Sequence, residues 1–120
     1  MDISIATSSL SALAQQTRLE TFRLLVAHEP RGLPAGEIAR LIGVPQNTMS
    51  SHLALLAAAG LARSERHGRS ILYRADLAGF RALTLFLIKD CCGGQPSLVE
   101  PLIADLLPCC PDAPPRSADG

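Results

Sequence analysis

Apolar side chains recur with helical spacing in the first third of the chain. The pattern predicts a helix over residues 17–27 and a short helix over residues 35–42, which ends at Gly43. A shorter helix capped by Ser8 or Ser9 precedes them, and a loop containing Gly and Pro joins the two later ones. We expect these side chains to point inward: Leu19, Phe22, Leu25, Val26, Ile38, Leu41 and Ile42.

A further helical pattern begins at Pro45, whose fixed φ and missing N–H suit the first turn of a helix. Met49, Leu53 and Leu56 recur on one face of that helix, and the small residues 57–60 close it. The opposite face carries short polar side chains, namely Gln46, Asn47, Ser50 and Ser51. The spacing therefore predicts an amphipathic helix with a polar face that is open to solvent.

After this helix the spacing changes to a period close to two, which is typical of a strand. Ile71 and Tyr73 follow this period, and His67-Gly68 is a plausible two-residue turn. We therefore predict a β-hairpin with strands over residues 61–66 and 69–74.

The pattern in the last part of the chain predicts two apolar helices and a tail. Asp76 caps a helix that runs to about residue 90 and is apolar nearly all round. Its main stripe comprises Leu77, Phe80, Leu83, Leu87 and Ile88. Since so small a chain cannot cover such a helix, we expect a second copy to pack on it. A final helix over residues 97–107 completes a domain of residues 1–107, and residues 108–120 form a flexible, cysteine-bearing tail.

Composition limits the class of protein. A chain of 120 residues, 48% of them hydrophobic, forms one folded domain. Only 3% of the residues are aromatic, which disfavours stacking platforms for single-stranded nucleic acid. The formal net charge is zero, but residues 44–74 hold four arginines against one glutamate. We therefore expect this segment to contact a polyanion.

The beginning of the chain does not resemble a targeting segment. Residues 1–17 lack the basic region and the continuous apolar run of a signal peptide. The longest apolar run, residues 53–62, is too short to span a bilayer. We expect a cytoplasmic protein without a membrane partner, in which cysteines do not form structural disulfides.

Two helices joined by a short turn with a glycine and followed by a hairpin are the elements of a winged helix-turn-helix. The expected fold is mainly α with a β-hairpin wing, dimerising through the terminal helices. Glutamine and asparagine on the second helix suit base edges, and arginines at the hairpin tip suit phosphates. The alternative is that both surfaces are merely solvated. The basic charge confined to this segment favours double-stranded DNA as the partner.

The segment 47–74 resembles the recognition helix and wing of the ArsR/SmtB family of metal- and metalloid-responsive repressors. The matching pieces are Ser51-His52-Leu53, Leu56, Ala59-Gly60-Leu61, Arg66, Gly68-Arg69 and Tyr73, with Thr17-Arg18-Leu19 upstream. The resemblance implies a homodimeric repressor that binds an inverted repeat in operator DNA until an ion releases it. It implies these DNA-binding residues: Gln46, Asn47, Thr48, Ser50, Ser51, His52, Arg66, His67 and Arg69. For His52, a structural hydrogen bond is the alternative to a base contact.

The cysteines form two adjacent pairs, Cys91-Cys92 and Cys109-Cys110. The helix before the recognition helix contains no cysteine and the predicted dimer helix contains no histidine, so two sensing sites of the family are missing here. A set of thiols alone favours a soft ion such as trivalent arsenic or antimony, which takes three sulfurs. The pair that ends the dimer helix resembles the arsenite-sensing members. A helix over residues 97–107 would span about 15 Å and hold Cys109 far from Cys91 of the same chain. Either the chain folds back after Pro108 or the second subunit supplies the third sulfur, and we favour the second subunit.

Other interpretations of the thiols stay open. They can oxidise to disulfides in a redox-sensing repressor of the same fold, or bind another soft metal in such a repressor. They can also pack as small apolar side chains. A thiol-dependent arsenate reductase is disfavoured because Cys91 follows a helix, whose negative end disfavours a thiolate. A third class is an interaction module that does not bind DNA. The sequence favours a repressor of an arsenic-resistance operon, with arsenite or antimonite as inducer, no organic cofactor and no enzymatic activity.

Overall fold

The computed structural model describes residues 1–90. Its helices are α1 (Ile3–Leu13), α2 (Gln16–Ala27), α3 (Ala35–Ile42), α4 (Gln46–Ala58) and α5 (Leu77–Leu85), and one π-helical turn follows at Phe86–Asp90. The strands are β1 (Leu33–Pro34), β2 (Ala62–His67) and β3 (Ser70–Ala75). Helices α1 to α4 and the sheet lie in one compact unit, Met1–Thr84. Within the described residues, no helix combines the length and apolar character needed to cross a membrane.

The first helix is longer than predicted. It begins at Ile3 because the Asp2 carboxylate accepts a hydrogen bond from the Ile5 N–H at 2.9 Å, which caps the helix. The predicted cap at Ser8 or Ser9 is therefore wrong. Ser9 lies inside α1, where it is buried, and its hydroxyl donates to the Ala59 carbonyl oxygen at 2.9 Å. This bond joins α1 to the end of α4.

The core lies where α2, α3 and α4 meet the sheet. Its buried members are Ala12, Phe22, Leu25, Ile38, Ala39, Met49, Leu53, Leu56, Leu61, Ala62 and Ala75. The inward orientation predicted for Leu19, Val26 and Leu41 is wrong, since they are 44%, 40% and 44% exposed. Thr21 takes an inward position on α2 instead. Its hydroxyl donates to the Thr17 carbonyl oxygen at 2.8 Å, so a buried polar atom is satisfied.

The sheet has three antiparallel strands in the order β1-β3-β2. Strand β1 lies in the segment predicted as a loop, and Leu33 pairs there with Tyr73 on β3. A two-residue strand has too few positions to show a period, so its pairing comes from tertiary contact with β3. The pairing fixes the base of the hairpin against the segment that precedes α3.

The hairpin turn lies one residue later than predicted. His67 pairs with Ser70, so the two-residue loop is Gly68-Arg69 rather than His67-Gly68. Gly68 has φ 65°, the left-handed conformation that tight hairpin turns require at their first loop position. The shift leaves His67 at the end of β2 and places Arg69 at the tip.

Helix α5 begins as predicted. The Asp76 carboxylate accepts a hydrogen bond from the Gly79 N–H at 3.1 Å. Gly79 also allows α5 to approach the turn after α4, because a Cβ at this position would overlap the Gly60 carbonyl oxygen. The contact packs α5 directly against the turn that follows α4.

The predicted apolar stripe of α5 is only partly covered. Leu83 is buried, whereas Leu77 and Phe80 are 46% and 39% exposed. The helical path continues as predicted to Asp90, with a change from α to π geometry after Leu85. The predictions for residues 97–107 and 108–120 lie outside the described residues.

We expect the buried row of α4 to be a main source of stability. Leu53 is fully buried, so Leu53→Ala should lower the free energy of unfolding by roughly 2–5 kcal/mol through lost burial and a cavity. Leu55→Ala is the matched control on the same helix, because Leu55 is 51% exposed. Its loss should stay below about 1 kcal/mol. Urea unfolding followed by circular dichroism measures both, and equal losses would contradict the assignment of the buried face.

Candidate nucleic-acid interface

Helix α4 has one buried and one exposed face. Met49, Leu53 and Leu56 are fully buried in the core, as predicted. The predicted DNA-binding residues that are exposed on α4 are Gln46, Asn47, Thr48, Ser50 and Ser51. The burial of the apolar row therefore orients these short polar side chains outward, in the arrangement that a helix needs to enter a major groove.

The first turn of α4 contains local hydrogen bonds. The Asn47 side-chain oxygen accepts from the Thr48 N–H at 2.9 Å, and the Ser51 hydroxyl donates to the Asn47 carbonyl oxygen at 3.4 Å. The Gln46 amide lies against α3, where a Cβ at Gly36 would come within 3.3 Å of its oxygen. Asn47 thus uses its side-chain oxygen locally, which leaves its amide nitrogen as a hydrogen-bond donor.

His52 differs from the other predicted α4 residues because it is half-buried. Its Nδ1 lies 3.4 Å from Nη1 of Arg18 on α2. The Arg18 Nε in turn donates to the Ala12 carbonyl oxygen at 2.7 Å. Sequence reasoning assigned no role to Arg18, although Thr17-Arg18-Leu19 was part of the matching pattern. The contact gives His52 a structural partner through Nδ1 and leaves its other ring nitrogen for a second partner.

The predicted wing residues Arg66, His67 and Arg69 are exposed at and beside the hairpin tip. Among the described residues, no ion pair of Arg66 or Arg69 is found, so both guanidinium groups face solvent in this part of the molecule. His67 is different, because its Nε2 lies 3.3 Å from the Glu65 carboxylate. The tip therefore presents two unneutralised positive charges that suit DNA phosphates.

The base of the wing is held by Arg74, which sequence reasoning did not single out. Its Nε and Nη2 donate to the Glu29 carboxylate at 3.1 and 2.7 Å, and its Nη1 donates to Glu65 at 2.9 Å. The side chains of Arg74 and Glu29 are only 19% and 14% exposed. This bidentate ion pair joins β3 to the segment after α2. Its partners are 45 positions apart in the sequence, so no local pattern predicts it.

The ion pairs shift the titration of both carboxylates. The hydrogen bond from Arg74 holds the pKa of Glu29 below its ordinary value. The pKa of Glu65 is also lowered, first by the hydrogen bond with His67 and then by the charge and hydrogen bond of Arg74. The two glutamates raise the pKa of Arg74 in return. Arg74 is therefore committed to the fold, whereas Arg66 and Arg69 are available to DNA.

The predicted metalloid site is not covered by this geometry. Cys91, Cys92, Cys109 and Cys110 lie outside the described residues and stay predictions. Within residues 1–90, no group of three or more His, Cys, Asp or Glu side chains is placed to hold a metal ion.

Comparisons with known proteins identify the same fold. A family model described as a helix-turn-helix domain matches residues 13–65. The fold is similar to the homodimeric winged helix-turn-helix DNA-binding domain of a possible ArsR-family regulator from Mycobacterium bovis, with 25% identity and a TM-score of 0.60 over 72% of this chain and 78% of that one. The predicted winged helix-turn-helix fold is confirmed. No curated protein matches the chain.

Two further solved structures are similar over more of the chain. One is an ArsR-like transcriptional regulator from Rhodococcus sp. RHA1, with 27% identity and a TM-score of 0.63 over 82% of this chain and 92% of that one. The other is described as a possible transcriptional regulator for arsenical resistance, with 26% identity and a TM-score of 0.60 over 82% of this chain and 95% of that one.

We expect the Glu29–Arg74 pair to make stability depend on pH. A carboxyl whose pKa is lowered on folding stabilises the folded state at a pH above its pKa in the unfolded chain, here 4.5. This contribution is lost as the pH falls through the pKa of the folded state. Glu29→Gln should therefore lower the urea midpoint by about 0.5 M at pH 7. The difference in urea midpoint between the variant and the parent protein should shrink when the pH falls below the pKa of the unfolded chain. Glu20→Gln, on the exposed face of α2, is the control, and a Glu29→Gln deficit that is the same at every pH would refute the ion pair.

Proposed function

We propose that this chain, an ArsR-family winged helix-turn-helix transcriptional regulator that binds DNA, is a homodimeric repressor of an arsenic-resistance operon. The family resemblance drawn from residues 47–74 is confirmed by the helix-turn-helix domain and by the structural likenesses. The homodimer, the repression of the operon, the inducer and the release from DNA are proposals.

One observation carries the DNA contact, namely the division of α4 into a fully buried apolar row and an outward polar face. The polar face ends beside a wing whose Arg66 and Arg69 are exposed. Asparagine, glutamine and serine side chains suit base edges in the major groove, and the tip arginines suit the phosphates or the minor groove beside it. In this proposal α4 contacts the bases and reads the sequence, whereas the wing positions the protein on the DNA.

Exposed apolar side chains on α1 support a homodimer. Ile3, Ile5 and Leu10 are 71%, 53% and 43% exposed, and Leu77 on α5 is 46% exposed. Apolar surface of this kind is stabilised when another subunit covers it. The Mycobacterium bovis domain with the same fold is itself homodimeric. A two-fold dimer presents two copies of α4 and so fits an inverted repeat in operator DNA.

The cysteine pairs support trivalent arsenic or antimony as the inducer. Cys91-Cys92 and Cys109-Cys110 supply thiolates without imidazole, a set that favours a soft, thiophilic ion. One structural neighbour is described as a possible regulator of arsenical resistance. In the proposed mechanism, three thiolates drawn from both subunits hold the ion and favour a spacing of the two α4 helices that does not fit the operator. A tenfold loss of affinity requires about 1.4 kcal/mol of differential binding.

The wing arginines should set the salt dependence of binding. Arg69→Gln removes one charge at the hairpin tip, so the slope of log K against log salt should fall by about one per subunit. Affinity for operator and non-operator DNA should fall by similar factors, because a phosphate contact carries no sequence information. Arg23→Gln, on the exposed face of α2, is the matched control. A slope unchanged in Arg69→Gln would exclude Arg69 from the phosphate contacts.

The inducer is tested by fluorescence anisotropy of the reduced, full-length protein on its own upstream DNA. We expect stoichiometric arsenite to release the protein, whereas zinc at the same concentration should not. Cys91→Ser should lose this response and keep the parent's affinity for DNA. The double variant Cys109→Ser, Cys110→Ser should lose it as well if the second pair supplies the third sulfur.

The other outcomes decide between functions. Release by hydrogen peroxide without a response to arsenite would replace the proposal with a thiol redox sensor. Absence of DNA binding in every arm would contradict the repressor itself.

A further inference from the structure

Arg18 joins three helices through one guanidinium group and one backbone amide. Its N–H donates to the Gln15 side-chain oxygen at 2.9 Å, which holds it in the first turn of α2. Its Nε donates to the Ala12 carbonyl oxygen near the end of α1 at 2.7 Å. Its Nη1 lies 3.4 Å from the His52 Nδ1 on α4. The guanidinium is planar, so the bond to α1 orients the group that faces His52.

The contact determines which hydrogen-bonding role each nitrogen of His52 can take. A guanidinium only donates hydrogen bonds, so the Nδ1 of His52 must be the acceptor. In a neutral imidazole, one nitrogen accepts and the other carries the hydrogen, which places the hydrogen on Nε2. Nε2 is therefore a donor, and His52 stands beside the exposed Ser51 on the helix that faces DNA.

The orientation of the Arg18 guanidinium is set by these hydrogen bonds rather than by packing. Arg18 lines an open cleft of about 450 Å³ between α1 and α4, together with Ser8 and Leu55. Open space on one side means that packing alone does not hold the guanidinium in place. The guanidinium is held by two of its nitrogens, one bonded to the Ala12 carbonyl oxygen and the other facing His52.

We propose that Arg18 is a positioning residue that holds His52 as an Nε2–H donor toward a hydrogen-bond acceptor of operator DNA. The acceptor is a base-edge atom such as guanine N7 or O6, or a phosphate oxygen beside it. This inference rests on the proposed function, because it names a further residue of the same DNA interface. Helix α4 contains no lysine or arginine, so its DNA contacts depend on neutral donors whose direction must be set in advance.

A double-mutant cycle on operator affinity tests the link. Arg18→Lys keeps the charge but lacks the fork, so it cannot hold both partners in one geometry. We expect it to weaken operator binding about tenfold in the parent protein and less than about twofold in a His52→Ala background. Arg23→Lys is the control on the same helix. An Arg18→Lys loss that persists in the His52→Ala background would overturn the proposal.

Substitution of His52 itself gives a test that leaves Arg18 in place. His52→Gln puts an amide nitrogen near the position of Nε2, whereas His52→Asn puts its amide near Nδ1. We expect His52→Gln to stay within about threefold of the parent affinity and His52→Asn to lose about tenfold. The reverse order would contradict a DNA contact through Nε2.

Nitrogen-15 spectra of the imidazole ring separate this inference from the proposed function. Recorded on the full chain at about pH 8, where free imidazole is neutral, they should show the Nε2–H form of His52. Arg18→Lys should shift the signals toward a mixture of both tautomers. An Nδ1–H form in the parent protein would overturn the positioning role even if DNA binding is found. Failure of the parent to bind DNA would overturn the proposed function, and with it the DNA contact of His52.

Discussion

The burial of Met49, Leu53 and Leu56 is the constraint on which the DNA-binding surface depends. Three apolar residues at this spacing bring one side of α4 into the core and leave the opposite side in solvent. The burial of the apolar row is therefore enough to orient the polar side chains of the helix outward. The same core seats α2, α3 and the sheet, so the outward face and the stability of the domain have one physical origin.

The arginines of the domain act differently because their surroundings differ. Arg74 is largely enclosed and divides its donors between two carboxylates, which fixes the wing to the segment after α2. Arg69 stands at the hairpin tip in solvent, where its charge is available to a phosphate. Arg18 lies between these cases, since it bonds a backbone carbonyl on one helix and faces a histidine on another. Net charge alone, which is zero for the chain, hides this division.

The sequence was informative where structure is local. Helical spacing predicted α4 and its buried row, and alternation with a nearby glycine predicted the wing to within one residue of its turn. What it missed depends on distant partners. Strand β1 forms by pairing with β3, and Glu29 finds Arg74 across 45 positions. The burial of Thr21 was missed for a different reason, because a hydroxyl satisfied by its own helix can replace a leucine in the core.

In the proposed complex, a dimer places two copies of α4 in successive major grooves, with each wing on the adjoining backbone. A hydroxyl-radical footprint of the reduced protein on its upstream DNA tests this most directly. We expect two protected segments related by an inverted repeat, with centres separated by about one helical turn of DNA or a multiple of it. Uniform protection that is independent of sequence, or a single protected segment at saturation, would contradict it.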